Sequence, residues 1–358
     1  MPRLLALILP LVLTACASPG EHSPDFKRLD RALDGLEARG MVGQVLVADR
    51  NGLAYQRGMG SVTPSGTPVT TGHVFPLASV TKPFTAAAVL ALAADGKLEL
   101  DDPLDRHLPE LSPPWSDIPL DALLTHTAGL PAEIVNRAWE GEPRFEPVDR
   151  ETFLERVMEF PPDHEPGKGY NYSNVGYGLL GAVIETVSGT DWETHLHHRL
   201  LEPAGLEDIG FRLPDWVPAM VVVGRDGGRT VPRYRDQPTL DDGIGFKLRA
   251  SGDLQAPATA MAAWWQAVRE KRFLDPETTE LWLEPVVEKP DGTYYGRGWH
   301  HRDSRWGPIT GHTGGDWIHS VDFSWFRDLD LLVYIATAEA RHEADLVRDD
   351  LHLALLGR

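Results

Sequence analysis

The chain has 358 residues, a formal net charge of -19, a sequence pI of about 5.1 and a single cysteine. So acidic a surface repels phosphate, which excludes a nucleic-acid-binding role, and one cysteine excludes any disulfide within the chain. The length allows one large domain or two moderate ones, with no internal repeat and no later apolar run long enough to span a bilayer.

The chain opens with Arg3 and an apolar run over residues 4–13, too short for a stable membrane span but suited to a signal peptide. Leu13-Thr14-Ala15-Cys16 follows and resembles a bacterial lipobox, which makes residues 1–15 a signal peptide and Cys16 a lipidated first residue. Residues 16–25 then form a tether, and Ala17 in place of aspartate points to the outer membrane, periplasmic face. The spacing of Phe26, Leu29, Leu33 and Leu36 predicts a helix over 25–39. Two strand-like runs, 43–49 and 53–56, flank Arg50-Asn51-Gly52, a hairpin signal. Residues 70–76 read as a turn. Helical patterns recur at 150–159, 174–187 and 259–271 among proline-rich loops. Strand-like runs at 321–326 and 331–336 are joined by 327–330, and 343–356 reads as a helix. Strands at both ends with helices between predict an α+β fold. One antiparallel sheet would be built from the terminal hairpins and flanked by the terminal helices, with a mostly helical region over about 79–288 beside it. Residues 26–358 form that domain, with the cleft where its halves meet.

Three segments carry chemistry. Ser79-Val80-Thr81-Lys82 opens an alanine-rich apolar stretch that predicts a buried helix from near Ser79 to before Gly96. Residues three apart share a helix face, so Lys82 can reach Ser79 and, desolvated, take its proton. Only 7 of the 34 basic residues are lysine, so a lysine here stands out, although serine is also a common helix cap. Tyr172-Ser173-Asn174 sits in a loop before a helix. A phenol beside a cationic lysine can be lowered toward a general base, or it can simply pack at the helix start with Asn174 as cap. Gly311-His312-Thr313-Gly314-Gly315 precedes the last strands. It is either a plain turn or a place where a free Gly315 N–H joins that of Ser79 as an oxyanion donor.

Together these segments, in this order and at these separations, resemble the serine β-lactamase and penicillin-recognising enzyme family, in its class C-like branch. Leu123-Leu124-Thr125-His126-Thr127-Ala128-Gly129-Leu130-Pro131 and Val74-Phe75-Pro76-Leu77-Ala78-Ser79 look like that branch too. The resemblance covers roughly residues 26 to 340. It implies that Ser79 is the acylated nucleophile, that Lys82 and Tyr172 share the proton relay, and that Asn174 binds a substrate amide. By the same resemblance His312, Thr313 and Gly314 line the strand beside the substrate, and Gly315 completes the oxyanion hole. Glu133, two residues past Pro131, is a candidate for the cleft rim. No metal or organic cofactor is implied.

Two departures bear on substrate. His312 stands where many β-lactamases carry lysine, and a partly charged histidine holds a substrate carboxylate less firmly. Asp316-Trp317-Ile318-His319 replaces a smaller turn and would narrow or charge the cleft. The expected function is therefore hydrolysis of D-amino-acid peptide or carboxylic ester bonds at the cell envelope. β-Lactam hydrolysis and a non-catalytic cell-wall-peptide-binding lipoprotein are the alternatives. Expected partners are a small-molecule or peptide substrate and the membrane through Cys16, on a monomer. His195, His197 and His198 read as a solvated helix end, His300-His301 as surface loop, and Asp101-Asp102 and Asp241-Asp242 as solvated loops. Trp264, Trp265, Trp299 and Trp325 read as core or cleft wall.

Overall fold

A computed structural model describes residues 23–63, 66–131, 147–231, 233, 245–316, 318–339 and 343–357. Cys16 and its leader, Glu133, Trp317 and Asp241-Asp242 lie outside the described residues. Helix α1 (Phe26–Ala38) is capped by Asp25, whose carboxylate accepts from Arg28 N, and it buries Leu29, Leu33 and Leu36. Strands β1 (Gly43–Asp49) and β2 (Gly52–Met59) form the expected hairpin. At the other end β11 (Ser320–Phe326) and β12 (Leu331–Thr337) pair, and β12 closes onto β1 with Gly43 opposite Thr337. The terminal hairpins thus share one antiparallel sheet.

The sheet is larger than the sequence suggests. Strands β7 (Val287–Glu288), β8 (Tyr294–Tyr295), β9 (His300–Ser304) and β10 (Gly307–Gly315) extend it to the order β2-β1-β12-β11-β10-β9-β8-β7. Two of these strands are only two residues long, and β9 is a polar run with no alternation, so periodicity could not reveal them. Residues 311–315, weighed as a turn, are strand. Val74–Pro76, read as turn-like, is strand β3, paired with β6 (Gln255–Pro257).

Alternation sorts the two faces. Val45, Val47, Ile309, Phe326, Val333 and Ile335 pack under α1 and the last helix, Ala344–Leu356. Leu46, Phe323, Trp325 and Tyr334 face the helical half, where Trp264, Trp265 and Trp299 pack as core. Each large side chain buried this way contributes roughly 1.5–3 kcal/mol. At the centre of that half runs α2 (Lys82–Ala94), buried from Lys82 through Leu92 and therefore apolar on every side. Among the described residues no helix is long and apolar enough to cross a membrane.

Candidate active site

Ser79 does not begin the long helix, as the sequence suggested. It sits one turn earlier, in a 3-10 turn over Ala78–Thr81 that runs into α2. Ala78 is held at φ +45, a costly conformation for a residue with a Cβ. Two flanking backbone bonds pin it, Leu77 N to Leu254 O (2.8 Å) and Val80 N to Leu77 O (3.0 Å). Side chains three apart eclipse in such a turn, and Lys82 Nζ lies 3.1 Å from Ser79 Oγ.

Lys82 is fully buried. Its Nζ also donates to Asn174 Oδ1 (2.7 Å) and to the backbone carbonyl of Ser251 (2.8 Å). Burial pushes its pKa well below the ordinary lysine value, and the field of Asp253 opposes this only in part. The contacts suit the neutral amine. Its two N–H bonds meet two oxygens that can only accept, and its lone pair is left for the serine hydroxyl.

Tyr172 and Asn174 come from the loop and first residue of the helix Asn174–Ser188. The Tyr172 ring lies 4.8 Å from Lys82 Nζ, and its phenol is near enough to Ser79 to feel that hydroxyl. The expected lowering of the phenol does not occur. Burial pushes Tyr172 above 10, because a lysine that has itself lost its charge preference cannot hold a tyrosinate. His126, at φ +57, underlies this loop: its Nδ1 accepts from Ser173 N (3.2 Å), and its ring sits 4.3 Å from that of Tyr172.

The opposite wall is β10. A Cβ on Gly314 would lie 2.2 Å from Leu77 O and 3.0 Å from Ser79 N, so only glycine lets the strand touch the turn that carries Ser79. Asp316 N donates to His319 O (2.9 Å), one step beyond the β10–β11 register. Alternate residues of an antiparallel ladder face the partner strand, so His312 and Gly314 bond toward β11 while Thr313 and Gly315 turn outward. Strand β9 covers that outer edge only as far as Gly311. The Gly315 N–H therefore projects from an open edge beside Ser79.

His312 is buried on β10. Its Nδ1 lies 2.6 Å from Thr313 O, which can only accept, so Nδ1 carries the proton. Nε2 then accepts from the Tyr295 hydroxyl at 3.2 Å. Burial and the neighbouring His300 push its pKa well down, so the ring is neutral at physiological pH, not partly charged. The wall around it is aromatic: Tyr295 packs against His126, Tyr172, His300 and His312.

The Beta-lactamase family model matches residues 29–356, nearly the whole described chain. The chain belongs to the β-lactamase family. Esterase EstB of Burkholderia gladioli is 34% identical over 62% of this chain and 61% of its own length. The octameric penicillin-binding protein homologue from Pyrococcus abyssi superposes with a TM-score of 0.77 at 23% identity, over 92% of this chain and 79% of that one. The D-amino acid amidase from Ochrobactrum anthropi gives 0.71 at 22% identity, over 87% and 90%. At those identities the two structures speak for the fold alone. The chain spans about three fifths of the length of the first curated relatives it matches.

Within this family frame, the sequence missed the groups that act through backbone or through burial. Ser251 contributes only its carbonyl. Asp253 stands behind Lys82 with its carboxyl pushed up to about 7 by burial. Tyr177 and Tyr295 hold no recognisable spacing, and His126 was noticed only as part of a resembling segment. Several bland expectations also change. His300 and His301 are strand residues, pushed by burial to about 3 and about 4. His195 and His197 are buried, the latter bonded to Ile209 O, and only His198 is exposed. Asp102 is buried and engaged by Arg106, His107 and Glu99 N. Glu99, Asp101 and Asp102 are the one acidic group close enough to share an ion among the described residues, and those partners already occupy Asp102. Asp316 does not charge the cleft freely: its carboxylate accepts from Ile318 N and His319 N, both at 2.7 Å.

Proposed function

We propose that this chain is a serine hydrolase that forms an acyl-enzyme on Ser79 and cleaves carboxylic esters or D-amino acid amides. The contact set of Lys82 carries the reading. An amine with two fixed acceptors and one lone pair on Ser79 is arranged to take the hydroxyl proton as Oγ attacks a carbonyl. The resulting oxyanion meets the N–H groups of Ser79 and Gly315. Tyr172, protonated by virtue of burial, gives a proton to the leaving group and recovers one from Lys82. With its carbonyl on Lys82, Asn174 offers its amide N–H2 to a substrate carbonyl. Water then releases the acid.

The neutral His312 selects among substrates. With His312 neutral, a substrate carboxylate beside the scissile bond finds no ionic partner at that position of β10. Neutral esters and amides fit better than β-lactams or free peptide C-termini. The names of the related esterase and of the D-amino acid amidase agree with this choice. We further propose that the chain is tethered to the outer membrane through lipid on Cys16. Loss of labelled palmitate in Cys16→Ser tests that point.

The test is intact mass after exposure to a fluorophosphonate and, separately, a penicillin, beside turnover of p-nitrophenyl acetate and D-phenylalanine amide. The expected result is a phosphonyl adduct absent from Ser79→Ala, turnover of ester or amide, and slow penicillin acylation. An adduct that survives Ser79→Ala, or no adduct and no turnover, overturns the assignment.

A further inference from the structure

The Lys82 pocket has a second layer that the reaction scheme above does not use. Residues 248–254 form a tight loop against α2. Ala250 is held at φ +61 and its carbonyl accepts from Thr85 Oγ (2.6 Å). The next carbonyl, that of Ser251, accepts from Lys82 (2.8 Å). One side chain closes this loop from behind. Asp253 Oδ1 accepts from Ala250 N (3.2 Å), and its Oδ2 accepts from the indole N–H of Trp192 (2.8 Å). Trp192 begins the short helix Trp192–Leu196 and is itself buried. Asp253 is also the one carboxylate, among the described residues, whose charge acts on Lys82.

We propose that Asp253 is a positioning residue for the catalytic amine: it fixes the Ser251 carbonyl on Lys82 and, when ionised, raises the proton affinity of Lys82 as Ser79 is deprotonated. The inference rests on the reading of Ser79 and Lys82 given above and deepens it.

Lys82 gains a positive charge during attack and needs compensation, and among the described residues no other anion acts on it. Asn174 and Ser251 supply dipoles only. The neighbouring His126, His300 and His312 are each pushed toward the neutral form, partly by Lys82 itself. Tyr172 and Tyr177 are pushed up by burial and stay uncharged. On the far side of Asp253, Glu193 disfavours its ionisation, while Arg249 and the Trp192 N–H favour it. Burial outweighs them and holds the carboxyl near neutrality, where its charge changes across the working pH range. The sign follows. Below about 7 the carboxyl is protonated and Lys82 is the weaker base; above it, the carboxylate stabilises the forming ammonium. Ser79 acylation therefore rises with pH through that value.

The experiment measures the rate of Ser79 phosphonylation by a fluorophosphonate, by intact mass, from pH 5 to 9. It compares the full chain with Asp253→Asn and Trp192→Phe, each checked for folding by circular dichroism. In Asp253→Asn the high-pH rate is expected to fall about tenfold, the equivalent of one pKa unit at Lys82, and the limb near pH 7 to vanish. Trp192→Phe keeps the carboxyl but removes the donor that favours its charge, so its limb moves to higher pH. A merely structural role would lower the rate equally at every pH and leave the limb in place in either variant; that result in whichever variant folds overturns the inference. Failure of the underlying assignment looks different: labelling that persists in Ser79→Ala, whatever Asp253 does.

Discussion

The two walls of the cleft solve opposite problems. The wall made by Ala78–Thr81, α2, Asn174 and residues 248–254 gathers the Ser79 hydroxyl, an amide and a carbonyl around one buried lysine, with a buried carboxyl behind. The wall made by β8, β9 and β10 carries three histidines, all pushed toward neutrality, and a tyrosine whose hydroxyl is spent on one of them. In the proposed reaction, proton transfer is concentrated on the first wall. The second offers backbone N–H groups and aromatic and imidazole rings, with its histidines pushed toward neutrality. The contrast teaches that the mechanism and the choice of substrate are set by different parts of the chain and can be altered separately.

The largest expected effect comes from emptying the first wall. Lys82→Met keeps an unbranched apolar stem one atom shorter and removes the base. Ser79 acylation, followed as a burst with an activated ester, should fall by about 10²–10⁴-fold, the usual range for a positioned acid or base. A fall of under about tenfold would place the base elsewhere and erase the division between the walls.

Next in size is the seam where the walls touch. Gly314→Ala puts a methyl 2.2 Å from Leu77 O, and backbone cannot step aside cheaply. Overpacking of this kind costs roughly 1–3 kcal/mol, visible as a lower urea midpoint. The shifted strand also carries the Gly315 N–H away from Ser79, and loss of one oxyanion donor lowers acylation by about 10²–10³-fold. If the midpoint falls while the acylation rate is kept, the oxyanion hole does not use Gly315.

The second wall is expected to announce itself in acid. His300 has a folded pKa of about 3, below the ordinary value of about 6.5. A lowered folded pKa gives stability that is complete above about 6.5 and is lost as pH falls toward 3. At pH 5 the unfolded imidazole is protonated and the folded one is not, which costs about 2 kcal/mol. Asp253 shifts the other way: its folded pKa is raised, so it favours the folded state as pH falls from about 7 toward 4. The raw slope mixes both, and the informative quantity is the difference between the chain and His300→Gln. The variant should lose about 2 kcal/mol less between pH 8 and pH 5 in urea titrations. Equal losses would mean that His300 is charged in the folded state.

Much of the first wall was legible from the chain alone. Ser79 and Lys82 announce themselves by an i, i+3 spacing at the head of an alanine-rich helix, and Tyr172 and Asn174 by a loop that ends in a helix cap. The terminal hairpins were readable from Asn51-Gly52 and from the runs that became β11 and β12. The second wall was mostly hidden. β8 is two residues long and β9 is polar, so neither has a period to detect. The charge of His312 could not be read either. Neutrality there comes from burial, from Tyr295 seventeen positions upstream and from a carbonyl next door. Asp253 was invisible for the same reason, since a carboxyl's role follows from what surrounds it. Spacing reveals side chains that share one element; electrostatics depends on elements that meet only in the fold.

The smallest expected effect tests the second wall most directly. His312→Lys places a potential cation on β10 and removes the acceptor that Tyr295 now uses. A charged hydrogen bond to a substrate carboxylate is worth roughly 1.5–3 kcal/mol, so penicillin acylation should rise by about tenfold or more. p-Nitrophenyl acetate has no carboxylate beside its scissile bond, and its turnover should stay within about twofold, since uniform binding energy is not at stake for it. The ratio of the two rates is therefore the measure, because a general loosening of the strand would move both together. Adding Tyr295→Phe to that variant removes the hydroxyl that has lost its histidine acceptor and should leave the ratio unchanged. If penicillin and ester rates change in parallel, the neutral histidine does not govern substrate choice. That task would then fall to the partly exposed Tyr172 and the other groups around Ser79.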